Sequence, residues 1–239
     1  SKGKEWGWTS GATLGAILGG IAVLALWGAY QLRTREPLID LRTTANRPVL
    51  MTNLAGVVIG FAMMAQALVI PRILGSQADW GLEQSVLATG FWMAPGGLMM
   101  MLFAPVSSLL IKKIGGRYTL SVGAAIVALG YVLAIFMTGE PWLLMIAVCV
   151  GSAGIGIGYA AMPTVIMENV PPTEMAASVG LNSLMRSVGT TIAGAVMAVV
   201  LSTTLASYQW AFVICAVAAL IGSLLGLAVY PLKGKKLTP

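Results

Sequence analysis

The sequence predicts an all-α protein that crosses a lipid bilayer seven times. Of its 239 residues, 58% are hydrophobic and only 9% are charged, whereas soluble domains average about 45–50% apolar and about 25% charged residues. The apolar residues form runs long enough to cross the hydrocarbon layer, which takes about 20 helical residues. Because lipid offers the backbone no hydrogen bonds, we expect these runs to be helices.

Seven apolar runs are the predicted membrane spans. Breakers near their boundaries include Pro71, Gly115-Gly116 and Pro141. The spans are 9–31, 49–70, 84–111, 118–137, 142–167, 176–203 and 209–230. Spans two to four and spans five to seven each cover 89 residues, which suggests two three-helix units inserted in opposite directions, as in the inverted repeats of secondary transporters.

The predicted organisation has four parts. An external stub and an extra transmembrane helix occupy 1–31, a basic cytoplasmic linker 32–48, a six-helix bundle 49–230 and a basic cytoplasmic tail 231–239. The chain opens with Ser1 in a polar stub, and no basic region with a cleavage site precedes the first apolar run. We therefore expect a piece of a larger polypeptide or one chain of a split protein.

The basic residues predict the orientation. They are concentrated in the linker 32–48, the loop 112–117 and the tail 231–239, which lie on one side of the membrane if there are seven spans. Ten of the 14 Lys and Arg residues fall on this side and three on the other. Because cytoplasmic loops carry the excess of positive charge, we expect the N-terminus outside and the C-terminus in the cytoplasm.

The composition argues against several function classes. Histidine is absent, which removes the commonest general base and the commonest metal ligand. Cys149 and Cys215 each lie inside an apolar run, so they form neither a disulfide framework nor a metal motif. We expect no metal, no cofactor, no enzyme activity and, because the basic residues are scattered, no nucleic-acid partner.

A basic loop joins spans three and four. The sequence of 108–117 is SLLIKKIGGR, in which Lys112 and Lys113 end one helix, Gly115 makes the turn and Arg117 starts the next. One interpretation is a short cytoplasmic hairpin anchored by positive charge, and the other is a gating hinge between helices that rock during transport. The pattern resembles the loop motif of the major facilitator superfamily, with Lys112 standing where that motif has aspartate.

Further segments extend the resemblance over essentially the whole chain. They are WGWTS (6–10), EPLIDLR (36–42), APGGL (94–98), GIGIG (154–158) and GLNSLMRSVG (180–189). Together they resemble the C-terminal part of a fourteen-helix drug:proton antiporter of the QacA/EmrB type. The resemblance implies a major-facilitator-type C-terminal six-helix bundle in a bacterial plasma membrane. It also implies a partner, the N-terminal half of the transporter, which lies outside this sequence.

Glycines spaced four residues apart indicate close helix packing. They are Gly11, Gly15, Gly19, Gly56, Gly60, Gly154, Gly158, Gly222 and Gly226. The run 154–158 also matches part of a dinucleotide fingerprint, but a lipid-length apolar run lacks the strand–turn–helix context of that motif. Near Pro163, Gly154 and Gly158 are also candidates for a bend in span five.

Arg186 is the one charged residue inside a predicted span. If its helix starts near Ala176, it lies about 15 Å along the helix, close to the middle of the membrane. Either the helix starts later and the side chain reaches the cytoplasmic surface, or Arg186 pairs with a carboxylate or anionic lipid and biases a gating equilibrium. Glu168 and Glu174 are the nearest acids, and Asn182 shares its helix face.

Neutral polar and methionine side chains are the substrate-path candidates. Asn53 and Gln66 in span two and Asn182 in span six either join helices or line a translocation cavity. Met63 and Met93 belong to methionine-rich segments. Flexible thioethers suit a surface that accepts varied apolar molecules, although they also fill lipid-facing positions.

The predicted function is proton-driven efflux of amphipathic or cationic drugs through rocking of two bundles about a central cavity. One alternative is export of lipids or lipid-like amphiphiles by the same fold, and a further alternative is a non-transporting scaffold or assembly module. Every acidic residue lies in a loop, a terminus or at a span end. We therefore expect the proton-coupling carboxylate in the partner half.

Overall fold

The computed structural model describes residues 10–33, 41–201 and 204–229. Seven long helices fill most of these ranges, and each is long and apolar enough to cross a membrane. They are α1 (Gly11–Arg33), α2 (Arg47–Gly75), α3 (Val86–Ile114), α4 (Gly116–Phe136), α5 (Pro141–Met167), α6 (Met175–Val200) and α7 (Leu205–Ala228). A short helix, Leu41–Thr44, precedes α2, and a 3₁₀ turn, Pro172–Glu174, precedes α6. The described ranges contain no strand, so the predicted all-α polytopic fold is confirmed.

The largest boundary error falls at Pro71. The prediction that span two ends there is wrong, because α2 continues through Pro71 to Gly75. Prolines also lie inside other helices, namely Pro95, Pro105 and Pro163. A proline inside a membrane helix is tolerated where neighbouring helices compensate for the lost hydrogen bond. The other predicted ends lie within four residues of the observed ones. Residues 1–9 of the stub, residues 34–40 of the linker and the tail lie outside the described residues.

The link between α3 and α4 is a turn at Gly115. Its φ of 85° lies in the left-handed region that glycine enters without steric cost. The Gly115 amide donates to the carbonyl oxygen of Ile111 at 2.9 Å, which closes the last turn of α3. The next helix begins at Gly116, so a single residue reverses the chain.

The packing of α2–α7 has an internal symmetry. The main contacts join α4 to α5, α3 to α5, α2 to α6, α4 to α7, α2 to α7 and α2 to α5. Exchanging α2 with α5, α3 with α6 and α4 with α7 maps this set of contacts onto itself. Because each unit has three helices, the second unit starts from the opposite side of the bundle. The contact pattern thus supports two inverted three-helix repeats.

The first helix stands apart from this bundle. Only 6% of the most apolar window of α1 is buried, against 39–61% for α2, α4, α5 and α7. Gly11, Gly15 and Gly19 have no neighbouring atom within 4 Å of an added Cβ. The expectation that these glycines form a packing surface is not met in the described residues, because no other helix approaches them.

Glycines bring α2 and α6 into backbone contact. A Cβ added at Gly60 would overlap the carbonyl oxygen of Arg186, and a Cβ added at Gly189 would overlap that of Val57. Lipid supplies no hydrophobic force between helices, so close packing of this kind carries much of their association. The helix that holds Arg186 is therefore held directly against α2.

Glycines on α5 make comparable contacts. A Cβ at Gly154 would lie 2.6 Å from the carbonyl oxygen of Gly123 on α4, and a Cβ at Gly158 would lie 2.7 Å from Cδ1 of Ile59 on α2. Both glycines are buried. A larger residue at Gly154 would overlap backbone atoms of α4, whereas one at Gly158 would displace only the end of the Ile59 side chain.

We expect Gly189→Ala to destabilise the bundle, because the new methyl group meets the Val57 carbonyl oxygen and must push α6 away from α2. Overpacking of this kind costs about 1–3 kcal/mol. The measurement is the thermal unfolding midpoint of the purified chain in detergent. Gly194→Ala on the same helix is the matched control, since nothing lies within 4 Å of its Cβ. Equal midpoints for the two variants would contradict the proposed close contact.

Candidate functional site

A cavity of about 200 Å³ lies between α2, α3 and α5. Met63 and Gln66 enter it from α2, Met93 from α3 and Ser152 from α5. Its other lining residues are small or apolar: Ala67, Gly96, Gly97, Met100, Val148 and Ile155. The amide nitrogen of Gln66 donates to the Ser152 hydroxyl at 3.0 Å. The cavity thus offers flexible apolar surface with one polar position.

Small residues on α3 shape this cavity. A Cβ at Gly96 would lie 2.6 Å from Cγ1 of Val148 and 3.1 Å from the Ser152 hydroxyl, so α3 and α5 touch there. Nothing lies within 4 Å of a Cβ at Gly97. Gly96 thus lets α3 contact α5, and Gly97 leaves open space beside this contact. The longer side chains of Met93 and Gln66 form walls of the cavity.

A second polar cluster surrounds Arg186. Its Nη1 donates to Oδ1 of Asn182 at 2.8 Å. Its Nη2 donates to the hydroxyls of Ser183 at 2.8 Å and Tyr159 at 3.1 Å. The guanidinium carbon also lies 4.2 Å from the centre of the Tyr159 ring, a distance typical of cation–π contact. The side chain is half-buried.

Asn182 extends this cluster into the core. Its Nδ2 donates to Oδ1 of Asn53 at 3.1 Å and to the carbonyl oxygen of Thr52 at 3.3 Å. Asn53 and Asn182 are only 3% and 1% exposed. These two asparagines therefore connect α2 to α6, which is the helix-joining role among the alternatives that the sequence left open.

The expected carboxylate partner of Arg186 is absent from the described residues. Neither Glu168 nor Glu174 bonds to its guanidinium there. Glu174 precedes Arg186 by twelve residues, about 18 Å along a helix, and Glu168 lies just after the end of α5. Because α6 begins at Met175, a late helix start does not explain the depth of Arg186 either.

The structure separates the predicted path residues into two groups. Met63, Gln66 and Met93 share the cavity, whereas Asn53 and Asn182 belong to the Arg186 cluster. Gln66 and Asn53 are thirteen residues apart on one helix, about 20 Å along its axis. The two groups are therefore different sites, at different depths.

Two contributors to these sites were missed in the sequence. Tyr159 holds the guanidinium by both its ring and its hydroxyl, and Ser152 bonds Gln66. Each is a polar group in an otherwise apolar and glycine-rich stretch of span five, and that was the available signal.

Pro163 cannot donate a backbone hydrogen bond to the Tyr159 carbonyl four residues before it, so the helix is weakened next to the cluster. A bend at Gly154, Gly158 and Pro163 stays a prediction.

The basic loop residues lie at one end of the bundle. Lys112 and Lys113 are exposed in the last turn of α3, and the guanidinium carbon of Arg117 lies 4.2 Å from the Tyr118 ring centre. Arg47 Nε donates to the Ala228 carbonyl oxygen at 3.2 Å, which brings the start of α2 to the end of α7. A further cavity of about 200 Å³ opens beside the loop, lined by Ile114, Gly115, Gly116, Arg117, Val165, Glu168, Asn169 and Val229.

Two helices of the bundle keep an open face. Only 11% of the apolar window of α3 and 17% of that of α6 are buried. The repeat symmetry makes these two helices equivalent. Both helices bear on the sites described above, since α3 lines the Met93 cavity and α6 carries Arg186.

Seven lipid-length helices define the chain as an integral, polytopic membrane protein. The Major Facilitator Superfamily model matches residues 3–194, which is most of the chain, and the chain therefore belongs to the major facilitator superfamily. No strand interrupts the helices in the described residues, in keeping with an all-helical family fold.

Named relatives support this assignment. The chain is 28% identical to the "Multidrug resistance protein B homolog" of Mycobacterium tuberculosis over 77% of its own length and 34% of the relative's. It is 26% identical to "Multidrug resistance protein Stp" of the same species over 86% of the chain and 38% of the relative. It is 23% identical to the "Uncharacterized MFS-type transporter YcnB" of Bacillus subtilis over 92% of the chain and 49% of the relative. The chain thus spans about a third to a half of the length of these relatives.

We expect Asn182→Ala to destabilise the fold, because it leaves Asn53 Oδ1 and Arg186 Nη1 without their shared partner. Loss of buried hydrogen-bond partners costs about 1–3 kcal/mol. Thermal unfolding of the purified chain measures the effect. Ser183→Ala is the control, since it removes one hydrogen bond to the same guanidinium at an exposed position. A larger loss of stability for Ser183→Ala would contradict this assignment.

Proposed function

We propose that this chain forms the C-terminal half of a secondary active exporter for amphipathic or cationic compounds, of the fourteen-helix QacA/EmrB type. Membership of the major facilitator superfamily supports the transport class. Two relatives carry multidrug-resistance names, which favours export of varied amphipathic compounds. These relatives are longer than this chain, which matches 34% and 38% of their lengths. We assign the partner half to the remaining part of that length.

The observation that carries the proposal is the cavity between α2, α3 and α5. A space of about 200 Å³ holds part of an amphipathic molecule, and the partner half would complete the rest. Met63, Met93 and Met100 adapt to different apolar shapes because thioether side chains are flexible. Gln66 supplies one polar contact that does not require a charged substrate. A scaffold that only joins helices has no need of such a space.

The proton-coupling group is proposed to lie in the partner half. Each acidic residue in the described ranges lies outside the seven long helices: Asp79, Glu83, Glu140, Glu168 and Glu174. Proton antiport needs a carboxylate that both sides of the membrane reach in turn. Rocking of the two halves about their shared cavity then exposes that group and the substrate alternately.

We expect Met93→Trp to lower efflux of ethidium about tenfold or more, because the indole fills space in the cavity that a substrate would occupy. The assay is ethidium retention in cells that lack their own exporters and produce the complete transporter. Met101→Trp is the matched control on the same helix, since Met101 is 64% exposed and does not line the cavity. Equal efflux for both variants at equal protein levels would refute the cavity as the substrate site.

Lipid export is the second candidate, favoured by the apolar lining of the same cavity. The same variants separate the two functions. If Met93→Trp leaves ethidium efflux unchanged and blocks movement of a fluorescent phospholipid between the leaflets of proteoliposomes, the substrate is a lipid.

The proposed orientation places the C-terminus and the basic loop in the cytoplasm. The basic α3–α4 loop lies at the same end of the bundle as the start of α2, which carries Arg47, and the end of α7. The positive-inside rule favours the cytoplasm for this basic end. The loop residues between α4 and α5, around Gly139, belong to the opposite end. This proposal is independent of the substrate.

Labelling of single cysteines tests the orientation. We expect a membrane-impermeant maleimide to label Gly139→Cys in intact cells and Lys113→Cys only after permeabilisation, both in a background with Cys149 and Cys215 replaced by Ser. Both sites are predicted to be accessible, because Lys113 and Gly139 are exposed. Labelling of Lys113→Cys from outside in intact cells would reverse the topology.

A further inference from the structure

The guanidinium of Arg186 carries a charge that nothing in the described part of the chain neutralises. Its three hydrogen bonds go to the neutral side chains of Asn182, Ser183 and Tyr159. Arg186 lies eleven residues into a helix of 26, near the middle of the predicted span. A positive charge at this depth is costly unless it meets an opposite charge or water. Three hydrogen bonds also leave some of the five guanidinium N–H donors over.

A second, buried donor in the same cluster has no acceptor. The amide oxygen of Asn182 accepts from Arg186 Nη1, and its amide nitrogen donates to Asn53 Oδ1. Asn53 therefore keeps a Nδ2 group that is buried without a hydrogen-bond partner. The cluster combines a net positive charge with a surplus of donors, so the group it lacks is a negatively charged acceptor.

The guanidinium is also oriented and accessible. The guanidinium carbon lies 4.2 Å from the centre of the Tyr159 ring, and the Tyr159 and Ser183 hydroxyls hold Nη2. Tyr159 on α5 and Ser183 on α6 are both exposed. With both Nη2 protons engaged by these hydroxyls, the N–H group of Nε and the second N–H group of Nη1 remain for a carboxylate, which the positive charge of the guanidinium also attracts.

We propose that Arg186, positioned by Tyr159, Ser183 and Asn182, is a carboxylate-binding site within the membrane. The neutral hydroxyls of the same helix face do not require a partner, because Ser187 and Thr191 donate to backbone carbonyl oxygens of α6. The donors of the cluster that lack an acceptor are thus those of Arg186 and Asn53. The site does not depend on the proposed function, whereas the source of the carboxylate does.

Two sources have this chemistry. One is an acidic side chain of the partner half, which would hold α6 against that half. The other is a carboxylate on the transported molecule. An unpaired arginine repels cationic substrates, so export of cations requires the first source, and the second would shift the substrate class towards acids and zwitterions.

The test uses the purified chain in phosphatidylcholine nanodiscs, with octanoate as the carboxylate probe and octanol as its uncharged match. We expect octanoate to raise the thermal unfolding midpoint further than octanol does. Arg186→Gln should weaken the apparent octanoate affinity about tenfold, since it removes the positive charge and a charge-assisted hydrogen bond. Arg72→Gln is the matched control, because Arg72 is exposed in the last turn of α2 and outside the cluster.

Arg186→Lys keeps the charge but loses the guanidinium that Asn182, Ser183 and Tyr159 hold in place, so it should bind octanoate more weakly than the wild type. This variant serves as the test if Arg186→Gln does not fold. Octanoate titrations that coincide for the wild type and the folded Arg186 variants would overturn the proposal. The same titration on the complete transporter identifies the source: octanoate has no effect if a partner carboxylate fills the site, and binds if the site awaits a substrate. Loss of the Met93 effect on efflux would refute the proposed function and leave this titration unchanged.

Discussion

Backbone contact between helices is the constraint on which the rest of the structure depends. In lipid, helices gain nothing from hiding apolar side chains from one another, so packing and a few hydrogen bonds must hold them together. Gly60 and Gly189 let α2 meet α6, and Gly154 lets α5 meet α4. These contacts fix where each polar side chain can reach, and the buried link between Asn53 and Asn182 exists because the two backbones nearly touch.

The number, order and type of the helices were predictable because the bilayer sets one length and one backbone conformation. Less could be predicted where tertiary packing decides. The sequence predicts a helix end at Pro71, yet neighbouring helices allow α2 to continue to Gly75. The glycine spacing on α2 predicted a contact that the structure has, whereas the same spacing on α1, at Gly11 and Gly15, faces open space. Spacing shows that a close approach is possible and not that a partner is present.

The candidate sites show the same division. Residue type singles out Gln66, Met93 and Asn182 as substrate-path candidates, but sequence alone does not say which of the candidates meet. Side chains far apart in the chain, such as Asn53 and Asn182, form one cluster, and Gln66 on the same helix as Asn53 belongs to a different one. Tyr159 escaped notice because a tyrosine in a span is common. Its role appears only when the crossing of α5 and α6 brings it over Arg186.

The two open helices differ in what their faces tolerate. Before its basic last turn, α3 exposes large apolar side chains, with Leu98, Met101 and Leu102 each more than half exposed, so lipid or an apolar partner covers them without cost. The open face of α6 carries hydroxyl groups that donate hydrogen bonds to backbone carbonyl oxygens of α6 itself, as Ser187 does. This face therefore tolerates either lipid or water. Arg186 is the exception on this face, because its charge requires water or an opposite charge. The symmetry of the fold makes α3 and α6 equivalent in position, but their charges differ in depth: α3 carries Lys112 and Lys113 in its last turn, whereas α6 carries Arg186 eleven residues from its start.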